Sequence, residues 1–210
     1  MIQGMPATVK VRGDAVIRTE PDEALVWITL TALADTASAG LADVSTRANA
    51  LVALLESLGI AKAARSTTGI TIHEEFDHVA EGRRSLGHRA TTRVSVRLTD
   101  HETIGRLIER AVQELGAHID GPHWQISPDN PVRLEAARQA AADAQRKARA
   151  YAEGIGGKLG PPLELSEADA QHIPVRARAA AQRFPGGDPV PVEPGEQEVS
   201  ASIHITFGLQ

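Results

Sequence analysis

Between Arg133 and Gly160 the chain reads RLEAARQAAADAQRKARAYAEGIGGKLG, and its small apolar residues recur at spacings of three and four. Leu134, Ala137, Ala141, Ala144, Ala148, Tyr151 and Ile155 are therefore predicted to share one face of an α-helix. A face built mainly of methyl groups lets the helix backbone lie close against its neighbour. The ends of this helix are also marked. Asn130 offers an N-cap acceptor, and Pro131 fills a first-turn position where its missing N–H costs nothing. Gly154, Gly156 and Gly157 let the chain leave the helix. Asp143 precedes Lys147 by four residues, the orientation that favours an ion pair on the outer face. A nucleotide-binding reading of the glycines fails on context, because a dinucleotide fingerprint needs a strand before the glycines and a helix after them. Here a helix precedes and the strand-like LGPPLEL follows.

Composition narrows the classes of function. With 210 residues the chain can bury a conventional core, but hydrophobic residues make up 42% and aromatics 3%, so that core must be aliphatic and rich in alanine. A net charge of −5 argues against a nucleic-acid binder, whose backbone contacts need a basic surface. The absence of cysteine excludes disulfides, thiolate metal sites and a cysteine nucleophile. MIQGMPATVKVRG lacks the apolar core of a signal peptide, and no later stretch approaches the ~20 apolar residues of a membrane span. The expectation is therefore a cytoplasmic protein without a membrane span, or a periplasmic or secreted one if a leader preceded the chain.

Thr8 to Arg18 alternates as a half-covered strand, and Ala24 to Leu33 is apolar on both faces, as in a more central one. Leu41, Val44, Ala48, Leu51, Leu55 and Leu58 mark a helix that stops at Gly59. Gly69 to Asp77 and His88 to Leu98 read as a hairpin around Ala80, Glu81 and Gly82, with Glu75 and Asp77 expected to share an outer face with Arg89 and Arg93. Asp100 caps a helix bearing Ile104, Leu107, Ala111 and Leu115 that ends at Gly116, and Pro122 to Ile126 forms a short strand. After a strand near Leu163, residues 169–197 are rich in proline and glycine and cannot build a core element, so they are expected to form a surface loop or arm. Glu198 to Leu209 alternates as a closing strand. The pattern predicts an α+β fold over residues 1–210 as a single domain, with an antiparallel sheet packed on one face against three amphipathic helices and the arm projecting before the last strand.

Four stretches, VKVRGDAVIRTEPDEALVWITL, LLESLGI, AARQAAADAQRKARAYAEGIGGKLG and PGEQEVSASIHITFGL, resemble the SIMPL domain family, whose bacterial members include periplasmic immunogenic and YggE-like proteins. The resemblance spans nearly the whole chain and rests on fold signatures, not on catalytic ones. It implies an α+β domain of unknown molecular function that tends to form homo-oligomers, with links to stress responses. It carries no catalytic residue over to this sequence.

Candidate chemistry lies in three places. HEEFDH concentrates His73, Glu75, Asp77 and His78, donors suited to zinc or harder divalent ions. Strand alternation puts His73, Glu75 and Asp77 on one face and His78 on the other, so a charge-paired strand is the simpler reading and no metal or other cofactor is assigned. His118, Asp120 and His123 cluster beside Trp124, where an imidazole and a carboxylate can act as an acid–base pair, although Asp120, Gly121 and Pro122 also read as a turn. Arg176, Arg178 and Arg183 in the arm offer a basic surface for a protein partner. Two functions follow: a non-enzymatic, self-associating binding or assembly module, or alternatively a metal-dependent or acid–base hydrolase using one of the histidine clusters.

Overall fold

The structure, a computed structural model, describes residues 7–79, 82–167 and 195–210. It is α+β, with seven antiparallel strands and three helices among the described residues, divided into two compact units. The strands form two sheets, one packed against two of the helices and the other against the third.

One unit spans residues 22–125. Its four-stranded sheet is built from β2 (Glu23–Ala34), β3 (Arg65–Val79), β4 (Gly82–Leu98) and β5 (His118–Gln125), in the order β3-β4-β2-β5. The run of β-branched and apolar residues predicted to be central is central: β2 pairs with β4 on one side and β5 on the other. Ala24, Val26, Ile28 and Leu30 on β2, with Val94, Val96 and Leu98 on β4, face α1 (Ala37–Ser57) and α2 (His101–Leu115). From the helices Leu51, Leu54, Leu55, Ile104, Leu107 and Ala111 complete this aliphatic core. Leu41, placed by periodicity on the same face of α1, is instead 40% exposed, because Gly40 is the residue of this turn that faces the sheet, close to Ala90 and the His88 carbonyl. The predicted cap of α2 is present, with the Thr103 N–H donating to the Asp100 carboxylate at 2.8 Å. A tie that local sequence pattern does not reveal joins the layers: the Arg47 guanidinium on α1 donates to the Leu115 carbonyl at 2.6 Å and to the Thr31 carbonyl at 2.8 Å.

The hairpin is longer than predicted. β2 reaches β4 only as far as Ala34 opposite His88, so Gly82 to Gly87 and the β3 residues facing them form a two-stranded ribbon beyond the sheet.

The other unit comprises the described residues up to 21 and from 126 onward. Here β1 (Thr8–Thr19), β7 (Gln197–Leu209) and β6 (Leu159–Glu167) form a sheet in the order β1-β7-β6, covered by α3 (Pro131–Gly154). The Val132 N–H donates to Asn130 Oδ1 at 3.0 Å, confirming the predicted start of α3. The buried line of this helix is Ala136, Ala140, Ala144, Ala148 and Ala152, spaced by four throughout. Four residues turn a helix by roughly 400°, so each step advances about 40° and the line wraps partway round the axis, following a twisted sheet. This corrects the predicted face. Ala144 and Ala148 belong to it, whereas Ala137 is exposed and Leu134, Tyr151 and Ile155 are 64%, 62% and 72% exposed. Close packing is nevertheless realised. Gly13 on β1 lies so near α3 that a β-carbon there would meet the Ala140 carbonyl oxygen at 2.0 Å and the Ala144 nitrogen at 2.6 Å.

The predicted arm, including Arg176, Arg178 and Arg183, lies outside the described residues apart from residues 195–197.

Candidate functional site

Side chains carrying chemistry gather on the face of the four-stranded sheet turned away from α1 and α2. Strand alternation puts Glu23, Leu25, Trp27 and Thr29 of β2 there, with Arg93, Ser95 and Arg97 of β4 beside them. On β5, Asp120 stands opposite Trp27 and His123 opposite Leu25, the register shifting in between. That shift occurs at Gly121, φ +120°, where the Gly121–Pro122 peptide is cis and a β-carbon would meet the Leu25 carbonyl oxygen at 2.8 Å. The tripeptide read as a turn is thus an irregular part of a paired strand, and its geometry brings Asp120 and His123 to the same side. His123 Nε2 lies 2.8 Å from Asp120 Oδ1. The other carboxylate oxygen accepts from Arg93 Nη2 at 2.8 Å. Arg93 reaches over β2 to make this bond, and its guanidinium carbon sits 4.2 Å from the centre of the Trp27 ring. Its Nε is buried without a hydrogen-bond partner among the described residues.

The sequence places His118, Asp120 and His123 together. The structure joins two of them, while His118 pairs in register with Thr29 and takes no part in that hydrogen bond. Trp124, the expected aromatic neighbour, instead has its ring 4.6 Å from that of His101 on α2. The residues that sequence reasoning missed are Trp27 and Arg93, which come from different strands. Their signal is ambiguous: Trp27 falls in a strand apolar on both faces, and Arg93 on the outer face of the hairpin, where a partner on the neighbouring strand is expected.

The HEEFDH segment lies in β3. Glu75 pairs with Arg89 as expected, and that guanidinium holds the Glu75 carboxyl below its ordinary range. Arg93 does not join them, because it is drawn across β2 to Asp120. Asp77 stands opposite Arg84, His73 opposite Arg89, and a register shift separates Glu75 from Phe76. The His78 side chain lies outside what is described. Among the described residues no three His, Asp or Glu side chains converge to hold a metal ion.

Beside Trp27 the same face opens into a cleft of about 360 Å³ lined by Leu25, Trp27, Ser66, Ser95, Arg97 and Gln125, together with Ala63 to Arg65. Ala63 and Ala64 belong to a single 3-10 turn, Lys62–Ala64. Arg97 Nη2 donates to the Ala63 carbonyl at 3.1 Å, and Arg65 donates to the Val52 carbonyl at 3.2 Å and pairs with Glu56 at 3.0 Å.

This is an α+β protein of antiparallel sheets whose polar sheet face carries a tryptophan flanked by arginines. Residues 9–207 match SIMPL, described as a protein of unknown function (DUF541), and the chain belongs to that family. It is 24% identical over 217 residues to the 26 kDa periplasmic immunogenic proteins of Brucella melitensis biotype 1 and Brucella abortus strain S19, the match covering 98% of this chain and 86% of each relative. The names of those relatives place them in the periplasm, in line with the periplasmic alternative and not with the cytoplasmic expectation. Among solved structures, the de novo designed protein Foldit4 overlaps at a TM-score of 0.27 with 17% identity, covering 47% of this chain and 91% of that one. A putative amidohydrolase/peptidase from Burkholderia cenocepacia overlaps at 0.22 with 18% identity, covering 63% of this chain and 33% of that one. Neither overlap is close enough to bear on fold or chemistry. No described helix is long and apolar enough to cross a membrane.

Proposed function

We propose that the chain is a non-enzymatic, self-associating binding or assembly module acting in the periplasm. The observation that supports this reading best is the β3–β4 ribbon. A two-stranded ribbon is marginally stable alone in water, and an open strand edge is a template for another chain. This one continues past the end of β2 and holds Leu86 44% exposed at its register shift. The ribbon also sorts charge by strand, with Glu75 and Asp77 on β3 and Arg83 and Arg84 on β4, a pattern that favours pairing with a second copy. The small-residue line of α3 makes no case for subunit contact, because it is used against β1 and β7 of the same chain. The periplasmic part of the proposal rests on the naming of the Brucella relatives.

Static light scattering tests the reading. The expected result is a mass that is a multiple of the chain's own at micromolar concentration, reduced to one chain by Leu86→Asp. A strictly monomeric wild-type protein overturns it. The hydrolase reading draws on the Asp120–His123 hydrogen bond alone, and loss of any hydrolytic activity in His123→Ala is its test.

A further inference from the structure

The cleft beside Trp27 has the donors of a ligand site. Its apolar walls are the Trp27 ring and Leu25, and its polar lining consists of the Ser66 and Ser95 hydroxyls, the Gln125 amide and the Arg97 guanidinium. The polar groups differ in how far they are committed. Gln125 Nε2 donates to Glu23 Oε2 at 2.6 Å, and Arg65 is engaged by Val52 and Glu56. Among the described residues Arg97 has one hydrogen bond, from Nη2 to the Ala63 carbonyl, while its Nε lies 3.9 Å from Glu23 Oε1, beyond hydrogen-bonding range. Ser95 Oγ reaches the Ser66 carbonyl at a long 3.4 Å. Among the described residues, the cleft thus offers one guanidinium fork with unused N–H groups and a lightly held Ser95 hydroxyl, with Ser66 across from it, next to an indole.

Glu23 and Glu56 balance the two arginines, so recognition here depends on directed donors and not on net charge. A guanidinium fork matches the two oxygens of a carboxylate or phosphate, and an indole with a leucine matches a planar apolar body. A volume of about 360 Å³ is within the range of small-molecule sites. We infer that this cleft binds a small organic anion, a carboxylate or phosphate carried on a planar ring, with the anion on Arg97 and the hydroxyls and the ring on Trp27.

The experiment is a titration followed by 1H–15N correlation NMR, reading the Trp27 indole signal, which is assigned with Trp27→Phe. Benzoate and phenyl phosphate are the anionic probes, benzamide is the uncharged analogue, and inorganic phosphate lacks the ring. Saturable shifts of the Trp27 indole with at least one anionic aryl probe are expected, at least tenfold tighter than with benzamide or inorganic phosphate. The preferred probe then identifies the anion as carboxylate or phosphate. Arg97→Gln, at a side chain 54% exposed and so tolerated by the fold, is expected to weaken that binding at least tenfold. The inference is overturned if neither aryl anion gives a saturable shift, if benzamide or inorganic phosphate binds equally well, or if Arg97→Gln binds like the wild type.

Discussion

The amide N–H of Asp14, on the edge strand β1, donates to the carboxylate of Asp143 on α3 at 3.1 Å. One turn along the helix, Lys147 donates to the Arg12 carbonyl at 3.0 Å and pairs with Asp143 at 2.6 Å. An edge strand presents unpaired backbone groups, and here two helix side chains satisfy them. The pair expected on the outer face of the helix thus closes one border of the three-stranded sheet.

Acid should loosen this closure. The Asp143 carboxyl is held below the ordinary range chiefly by the Lys147 ammonium and then by the Asp14 N–H, and that of Asp14 chiefly by the Ser202 hydroxyl and then by Arg12. A carboxyl with a lowered folded-state pKa stabilises fully above its unfolded value of about 3.9, and its contribution is lost as pH falls through the folded value. In urea titrations from pH 6 to pH 2, wild type is expected to exceed Asp143→Asn at pH 6, the gap closing as pH falls below about 4. A gap that persists to pH 2 contradicts the assignment.

Gly13→Ala is expected to destabilise by roughly 1–3 kcal/mol or more, since the new methyl meets helix backbone, which cannot rotate away. Gly105→Ala is the matched control. It lies within α2, where an added β-carbon would find nothing within 4 Å, and is expected to stabilise by about 0.5–1 kcal/mol through helix propensity. Chemical denaturation of the two variants reads both signs.

Leu30 is fully buried between the four-stranded sheet and its helices, and Leu33, three residues on, is 49% exposed. Leu30→Ala is expected to cost about 2–5 kcal/mol and Leu33→Ala about 0.5 kcal/mol or less. Similar losses at both positions, measured by thermal unfolding, would contradict the facing assigned to β2.

Arg93→Met removes the charge over Trp27 and the partner of Asp120. In a Trp124→Phe background, the emission maximum of Trp27 is expected to shift, with a stability loss of about 0.5–1 kcal/mol for a half-exposed cation–π contact. An unchanged spectrum would mean that the guanidinium does not rest on the ring.

Element boundaries are legible in the residues wherever a side chain does one local job. Asp100 and Asn130 cap helices within three residues of themselves, and both caps are present as read. The facing of α3 is harder, because alanine contrasts weakly with its neighbours. Leu134, Tyr151 and Ile155 draw the apparent stripe toward themselves, whereas closeness to the sheet selects residues that carry nothing beyond a methyl. β5 is masked by Gly121 and Pro122, which resemble a turn in isolation and form an irregular strand only because β2 lies beside them. Arg93 illustrates the non-local limit. Its local pattern predicts a partner on β3, and only the strand order, with β2 between β4 and β5, brings Asp120 within reach.

The line of five alanines on α3 has an asymmetric tolerance. Each contributes little apolar area, so trimming one removes little from the driving force of folding, while enlarging one lifts the helix off Gly13 and its strand together. Such a seam behaves like a gauge with a fixed clearance: substitutions there should be filtered by size far more sharply than by polarity, and a relative with a larger residue at one of these positions should carry a compensating reduction directly across from it.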